Sequence, residues 1–158
     1  MSRLPDLGPR GEGWVVLQGV LFIAIAASGL LLPAWDGPAR VVTTVAGAIL
    51  IVGGLLLAIA AQRDLGRSLT IMPRPREGGA LVEQGVYGRA RHPIYGGLVL
   101  AAFGWGLVCA SVVALLLAAA LLGFFTLKST REEAWLVERF PDYPAYRRRT
   151  KRFIPFVL

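Results

Sequence analysis

The sequence contains one histidine, His92, and one cysteine, Cys109. A lone cysteine excludes a disulfide within the chain and says nothing about redox compartment. One histidine and one cysteine cannot build an ordinary zinc site without ligands from elsewhere. The sequence also lacks a G-x-G-x-x-G fingerprint after a strand, a G-x-x-x-x-G-K-[ST] phosphate loop and an H-E-x-x-H metal motif. A soluble dinucleotide-binding domain does not fit between its apolar runs, and no Ser or Cys nucleophile is evidently paired with the histidine. There is no internal repeat and no low-complexity tract. Any chemistry therefore falls to Arg, Tyr, Glu and the single His.

Charge is missing over long stretches. Residues 14–33, 41–62 and 94–127 hold no Asp, Glu, Lys or Arg, and 55% of the chain is hydrophobic. A membrane-crossing helix needs ~20 apolar residues for a ~30 Å core. The first two runs each match one span. The third is too long for one and reads as a hairpin, 94–109 and 111–127, with a tight turn at Cys109-Ala110-Ser111. Each arm is short, which implies tilt or incomplete crossing. The first run exceeds the ~7–15 apolar residues of a signal peptide and no A-x-A site follows, so it reads as a retained span.

The expected fold is an all-α integral membrane protein, one domain over residues 1–158, with about four transmembrane helices and a cytoplasmic amphipathic C-terminal helix. The net charge is +7. Basic residues stand at Arg3, Arg10 and Arg40, then six from Arg63 to Arg91 and eight from Lys128 to Arg152. With both termini cytoplasmic, only Arg40 lies outside, which is the positive-inside pattern of a cytoplasmic membrane protein. The charge thus points to anionic lipid headgroups and not to nucleic acid.

Residues 1–13 read as a short mobile lead. Trp14 and Trp35 bracket the first span as interfacial aromatics. Pro33-Ala34-Trp35-Asp36-Gly37-Pro38 is a tight outer loop of turn formers. Gly47, Gly53 and Gly54 in the second span, and Gly96, Gly97, Ala101 and Gly104 in the third, are small residues suited to close helix packing or to making room for a ligand. Residues 63–93 form a long cytoplasmic loop with a proline-rich piece, Met72-Pro73-Arg74-Pro75-Arg76-Glu77-Gly78-Gly79; such length suggests function or disorder. In residues 128–158, Trp135, Leu136, Phe140 and Tyr143 recur at helical spacing opposite Arg131, Glu132, Glu133, Glu138 and Arg139. That pattern suits a helix lying on the inner surface.

The polar residues concentrate in Gly85-Val86-Tyr87-Gly88-Arg89-Ala90-Arg91-His92-Pro93-Ile94-Tyr95, directly before the hairpin. His92 is able to bind a ligand or act as a base near neutral pH; equally, it can cap the loop. Arg89 and Arg91 suit a bidentate carboxylate clamp, or serve only as orientation charges. Glu132 and Glu133 can orient a cationic ligand, or form a solvated face paired with Arg131 and Arg139. Tyr87, Tyr95, Tyr143 and Tyr146 have interfacial anchoring as their plain alternative.

Leu65-Gly66-Arg67, then Gly85-Val86-Tyr87 and Arg91-His92-Pro93-Ile94-Tyr95-Gly96-Gly97, then Glu132-Glu133, Leu136, Phe140, Tyr143, Tyr146 and a basic stretch ending at Pro155, resemble the isoprenylcysteine carboxyl methyltransferase family, whose broader relatives are the membrane phospholipid N-methyltransferases. The resemblance covers roughly residues 62–156. It implies a membrane enzyme using S-adenosylmethionine, with a cofactor pocket built from the last helices and the C-terminal segment. It implies cofactor-binding roles for Tyr87, Arg91, His92, Pro93, Tyr95 and Tyr146, and catalytic roles for Glu133 and Arg149. No metal is implied. Two positions depart from the family pattern: Gly88 follows the first tyrosine where a basic residue is frequent, and Phe140-Pro141 replaces the usual Phe-Gly.

The acceptor implied is lipophilic, such as a prenylated cysteine carboxylate; a phospholipid amine or a small thiol are the alternatives. The non-enzymatic alternative is a lipid-binding membrane scaffold that holds acidic headgroups with its basic tail. Arg91→Lys separates these, because lysine preserves charge but not a bidentate clamp.

Overall fold

The structure, a computed structural model, describes residues 4–33, 35–75 and 78–158. Arg3, Ala34, Arg76 and Glu77, which figure in the charge and loop readings above, lie outside the described residues. Five α-helices follow in order: α1 Glu12–Leu31, α2 Pro38–Leu65, α3 Pro93–Val108, α4 Val112–Arg139 and α5 Tyr143–Arg149. Single 3-10 turns occupy Gly66–Ser68 and Gly85–Gly88. No strand occurs among the described residues; an isolated parallel bridge joins Ala90 to Lys151.

Local chemistry sets the ends of these helices. Pro38 and Pro93 open α2 and α3, where a missing N–H costs no helix bond. The hairpin turn falls at Cys109-Ala110-Ser111, as expected. Ser111 N donates to Gly106 O at 2.9 Å and Ala110 N to Leu107 O at 3.2 Å, with Ala110 left-handed at φ 52. This pairing is a Schellman end. Ser111 then caps α4 by accepting from Ala114 N at 3.2 Å.

The protein is an integral membrane protein: α1, α2 and α4 are long and apolar enough to cross a membrane. The fourth expected span, α3, has 16 residues. Its rise of about 24 Å falls short of a ~30 Å core. It is instead sheathed by its neighbours. Gly47 faces Gly104 and Gly54 faces Gly97, and a Cβ on any of the four would strike the opposing backbone carbonyl. The small-residue seam therefore seats α3 on α2 and is not ligand space. The core proper joins Ile25 of α1, Val99 and Ala102 of α3, Ala118, Leu121 and Phe125 of α4, and Phe153 of the tail. Apolar residues such as Val20, Ile23, Val45 and Ile49 point outward, as a lipid-facing surface requires.

Three local expectations change. Lys128–Arg139 continues α4 without a break and is not a separate surface helix. Trp14 is buried against Phe124, ring centroids 5.6 Å apart, and so belongs to the core and not to an interfacial belt. The described part of the N-terminal lead is tied down: Trp14 Nε1 donates to Pro5 O at 3.3 Å, Arg74 reaches Pro9 O at 3.0 Å, and Arg131 pairs with Asp6.

Candidate active site

The polar segment before α3 is held by the C-terminal tail. Arg91 N donates to Lys151 O at 2.9 Å, Lys151 N to Arg89 O at 2.9 Å and His92 N to Arg152 O at 2.8 Å. The tail must then cross the first turn of α3. Gly96 permits it, since a Cβ there would strike Phe153 O. Tyr146 completes the clasp by donating from Oη to Tyr87 O at 2.8 Å. Burial pushes the phenols of Tyr87, Tyr143 and Tyr146 up, with nearby carboxylates acting in the same direction. All three stay protonated near neutral pH, so each keeps an O–H to donate.

Two adjacent carboxylates on α4 then diverge. Glu133, 3% exposed, turns toward the clasp. Its Oε1 accepts from Arg91 Nε at 2.9 Å and lies 3.2 Å from His92 Nε2. Arg147 Nε comes within 3.2 Å of Oε2, yet out of line, so Oε2 is buried without a hydrogen bond. Glu132 turns the other way. Its Oε2 accepts from Tyr95 Oη at 3.0 Å and sits 3.7 Å from His92 Nδ1. His92 thus bridges the pair, and its ring continues a stack through Tyr95 to Phe125 at centroid spacings of 5.5 Å and 4.4 Å.

Glu132 borders a cavity of about 480 Å³. That size suits a small-molecule or cofactor site. The cavity is lined by the ends of α1 to α4 that meet the loop, by loop residues 69–71, 75 and 79–82, and by α5. Its polar lining includes Tyr87, Arg91, His92, Tyr95, Glu132 and Tyr146, and its apolar lining includes Phe22, Leu98, Leu136 and Phe140. Tyr143 also borders it, with a buried Oη that has no hydrogen-bond partner.

The structure therefore brings together Tyr87, Arg91, His92, Tyr95 and Tyr146 around one cavity. Pro93 is buried behind them as the first residue of α3. Glu133 also lies behind the wall, bonded to Arg91 and His92. Arg149 stands apart: its side chain is 58% exposed and pairs with Glu83 at 2.7 Å. Glu132 is not paired with Arg131 or Arg139, which stack on Trp135 and Phe140. Arg91 clamps a carboxylate of this chain, Glu133, while Arg89 lies over the Phe156 ring. Among the polar lining residues that escaped the sequence reading are Lys128 and Gln18, which meet at 2.6 Å. A signal existed for Lys128: it is the first charge after the apolar run and lies four residues before Glu132, on the same helix face.

Comparison with known proteins matches residues 42–143 to the phospholipid methyltransferase family model. The chain is 32% identical over 108 residues, 66% of its length, to a protein-S-isoprenylcysteine O-methyltransferase of Schizosaccharomyces pombe. It is 32% identical over 122 residues, 77% of its length, to the cobalt-zinc-cadmium resistance protein CzcN of Cupriavidus metallidurans. It spans about half the length of these relatives, 46% and 53% respectively. The matched segment contains α3, the whole of α4 and the clasped Arg91-His92-Pro93 element, so the residues that build the cavity wall are largely those the family model describes. The chain belongs to the phospholipid methyltransferase family and within it resembles the isoprenylcysteine carboxyl methyltransferases.

Proposed function

We propose that this protein is an S-adenosylmethionine-dependent methyltransferase acting on a lipophilic acceptor, of the kind in a prenylated cysteine carboxylate. The carrying observation is the cavity itself: polar donors and a carboxylate line it together with aromatic and aliphatic side chains, at the ends of membrane helices. The distribution of basic residues supports a mouth facing the cytoplasm with both termini on that side.

The residues present fit this cofactor. Its ammonium would be held by Glu132, its carboxylate by donors among Arg91, His92 and Tyr87, and its adenine by the aromatic side chains of Phe140 and Tyr143. The orphaned Tyr143 Oη supplies a donor that the protein alone leaves unused. Bound there, S-adenosylmethionine supplies an electrophilic methyl on a sulfonium, which departs as a neutral thioether.

The chain's own work is then orientation and exclusion of water. Glu133 fixes Arg91 and His92 from behind, Tyr95 fixes Glu132, and the apolar lining keeps the site dry. Alignment of two reactants in this way is worth several kcal/mol, up to roughly 7–11. A carboxylate acceptor is already ionised at neutral pH and needs no base. An amine or thiol acceptor requires one, and His92 is the candidate for that role on this reading. On this assignment Glu132 holds the cofactor's ammonium, Glu133 is a positioning residue, and Arg149 holds the loop at Glu83 from outside.

Calorimetric titration of S-adenosylmethionine into detergent-purified protein tests the reading, with His92→Ala beside wild type. Saturable binding is expected, weakened at least roughly tenfold in the variant, the loss of one or two hydrogen bonds to a charged group. Folded wild-type protein that takes up no cofactor would turn the assignment toward a lipid-holding scaffold. Arg91→Lys is expected to weaken binding as well, since Nε and NH1 of Arg91 serve separate acceptors, Glu133 and the Arg147 carbonyl.

A further inference from the structure

Lys128 is a buried cation that the mechanism above leaves idle. It lies on α4, one turn before Glu132 toward the apolar half of the helix, and is 2% exposed. A lysine at the end of an apolar run ordinarily snorkels its ammonium to water. This one does the opposite. Its Nζ hydrogen-bonds Gln18 Oε1 of α1 at 2.6 Å and lies 5.1 Å from the centre of the Tyr95 ring. Among the described residues it makes no ion pair and no second hydrogen bond. An ammonium has three donors, so its hydrogen bonding is incomplete. Glu132, one turn on, attracts it from beyond ion-pair distance, and a desolvated cation that touches only a neutral amide and ring faces is costly unless an anion in contact completes it. Charged groups kept at membrane depth generally mark a substrate path.

Position decides which anion. Lys128 and Gln18 line the cavity with Val15 and Phe22 of α1 and Leu98 of α3, among the membrane helices, whereas Tyr87, Tyr143 and Tyr146 come from the loop and tail. An amphipathic molecule whose chain lies among the membrane helices brings its head to the level of Lys128. Gln18 also lies outside the residues matched to the family model, so the pair joins this chain's own first helix to the shared site.

We propose that Lys128, oriented by Gln18, binds the anionic head of the lipophilic acceptor and selects carboxylate-headed over ammonium-headed acceptors. The selection works in both directions: Lys128 completes its hydrogen bonds with a carboxylate, and it repels an ammonium in a dry site. This rests on the methyltransferase reading for the word acceptor, but the binding itself is separable from transfer.

The test is equilibrium binding to the full chain in detergent, without cofactor, of two probes that share one prenyl chain. One is the thioether of mercaptoacetic acid, with a carboxylate head; the other is the thioether of cysteamine, with an ammonium head. Wild type is expected to prefer the acid. Lys128→Met is expected to weaken acid binding roughly 10- to 100-fold and to erase the preference, the loss of one hydrogen-bonded charge pair. Lys128→Arg should retain much of it, and Gln18→Leu should give a smaller loss of the same kind. S-adenosylmethionine affinity is measured on the same samples, and an unfolding midpoint that does not fall in Lys128→Met reports an intact fold.

Acid binding indifferent to Lys128→Met, equal weakening of both probes, or failure of wild type to bind the acid would each overturn the proposal. So would a loss confined to S-adenosylmethionine, which would make the cofactor carboxylate the anion read. Lys128-dependent acid binding without any cofactor binding would sink methyl transfer while leaving this role standing. Cofactor binding with no role for Lys128 would do the reverse.

Discussion

Glu133→Ala is expected to cost about 3–5 kcal/mol of stability, the figure for removing one partner of a buried ion pair. In a chain of this size that lowers the unfolding midpoint by about 10 °C. The reason is what remains behind. Arg91, whose side chain is 8% exposed, loses the acceptor at 2.9 Å, and His92 loses the contact at 3.2 Å. Arg91 keeps the carbonyls of Arg147 and Thr150, so the clasp loosens without falling apart. Cofactor affinity should fall with stability, because Arg91 and His92 form part of the cavity wall that Glu133 supports from behind. Glu132→Gln should behave differently, weakening binding or transfer while the unfolding midpoint moves little. Thermal unfolding in detergent, beside cofactor titration, reads both. A Glu133→Ala protein as stable as wild type would remove Glu133 from the support of the site.

Gly54→Leu should prevent proper folding, while Gly53→Leu, one residue away, should be silent. A Cβ on Gly54 strikes the carbonyl oxygen of Gly97 and comes within 3.0 Å of Ala101 N, both backbone atoms of α3. Neither can yield by a rotamer change, so α2 and α3 must separate. Overpacking of side chains alone costs typically 1–3 kcal/mol, and displacement of a backbone seam exceeds that. At Gly53 nothing lies within 4 Å of the added carbon. Leucine there enters lipid, where it is at home. The yield of monodisperse protein after detergent extraction separates the two variants. Equal yields would mean that α3 is not seated on α2 through this seam.

The pair also shows where sequence reasoning stopped. Gly47, Gly53 and Gly54 are indistinguishable as small residues in an apolar run, and only the azimuth of each around α2 tells packing from lipid. Residues adjacent on a helix point about 100° apart. The same geometry separates Glu132 from Glu133. Their neighbourhood with Arg91-His92-Pro93 was legible through the resemblance, but which carboxylate borders the cavity was not. Arg149 shares a helix face with Tyr146, three residues earlier, and its guanidinium lies 5.8 Å from the centre of that ring, but its length carries the charge out to Glu83 while Tyr146 bonds Tyr87. Trp14 was read as interfacial because it begins an apolar run. Phe124 across from it, and Pro5 behind it, could not be seen from that position.

By itself the sequence determined everything that depends on local composition. Uncharged runs demand helices in a lipid phase, because backbone groups there must bond within their own segment. Prolines and the Cys109-Ala110-Ser111 turn mark helix ends, and the clustered Arg, His, Tyr and Glu mark where chemistry gathers. Tertiary structure decided everything that depends on who faces whom. It seated the short α3 against α2 through glycine carbonyls, wrapped the tail over Gly96, and turned Glu132 toward the cavity and Glu133 away. It also buried Lys128 against Gln18, 110 residues away in the chain. Such pairings follow from the rotation and depth of whole helices, which composition along one strand of sequence does not encode residue by residue.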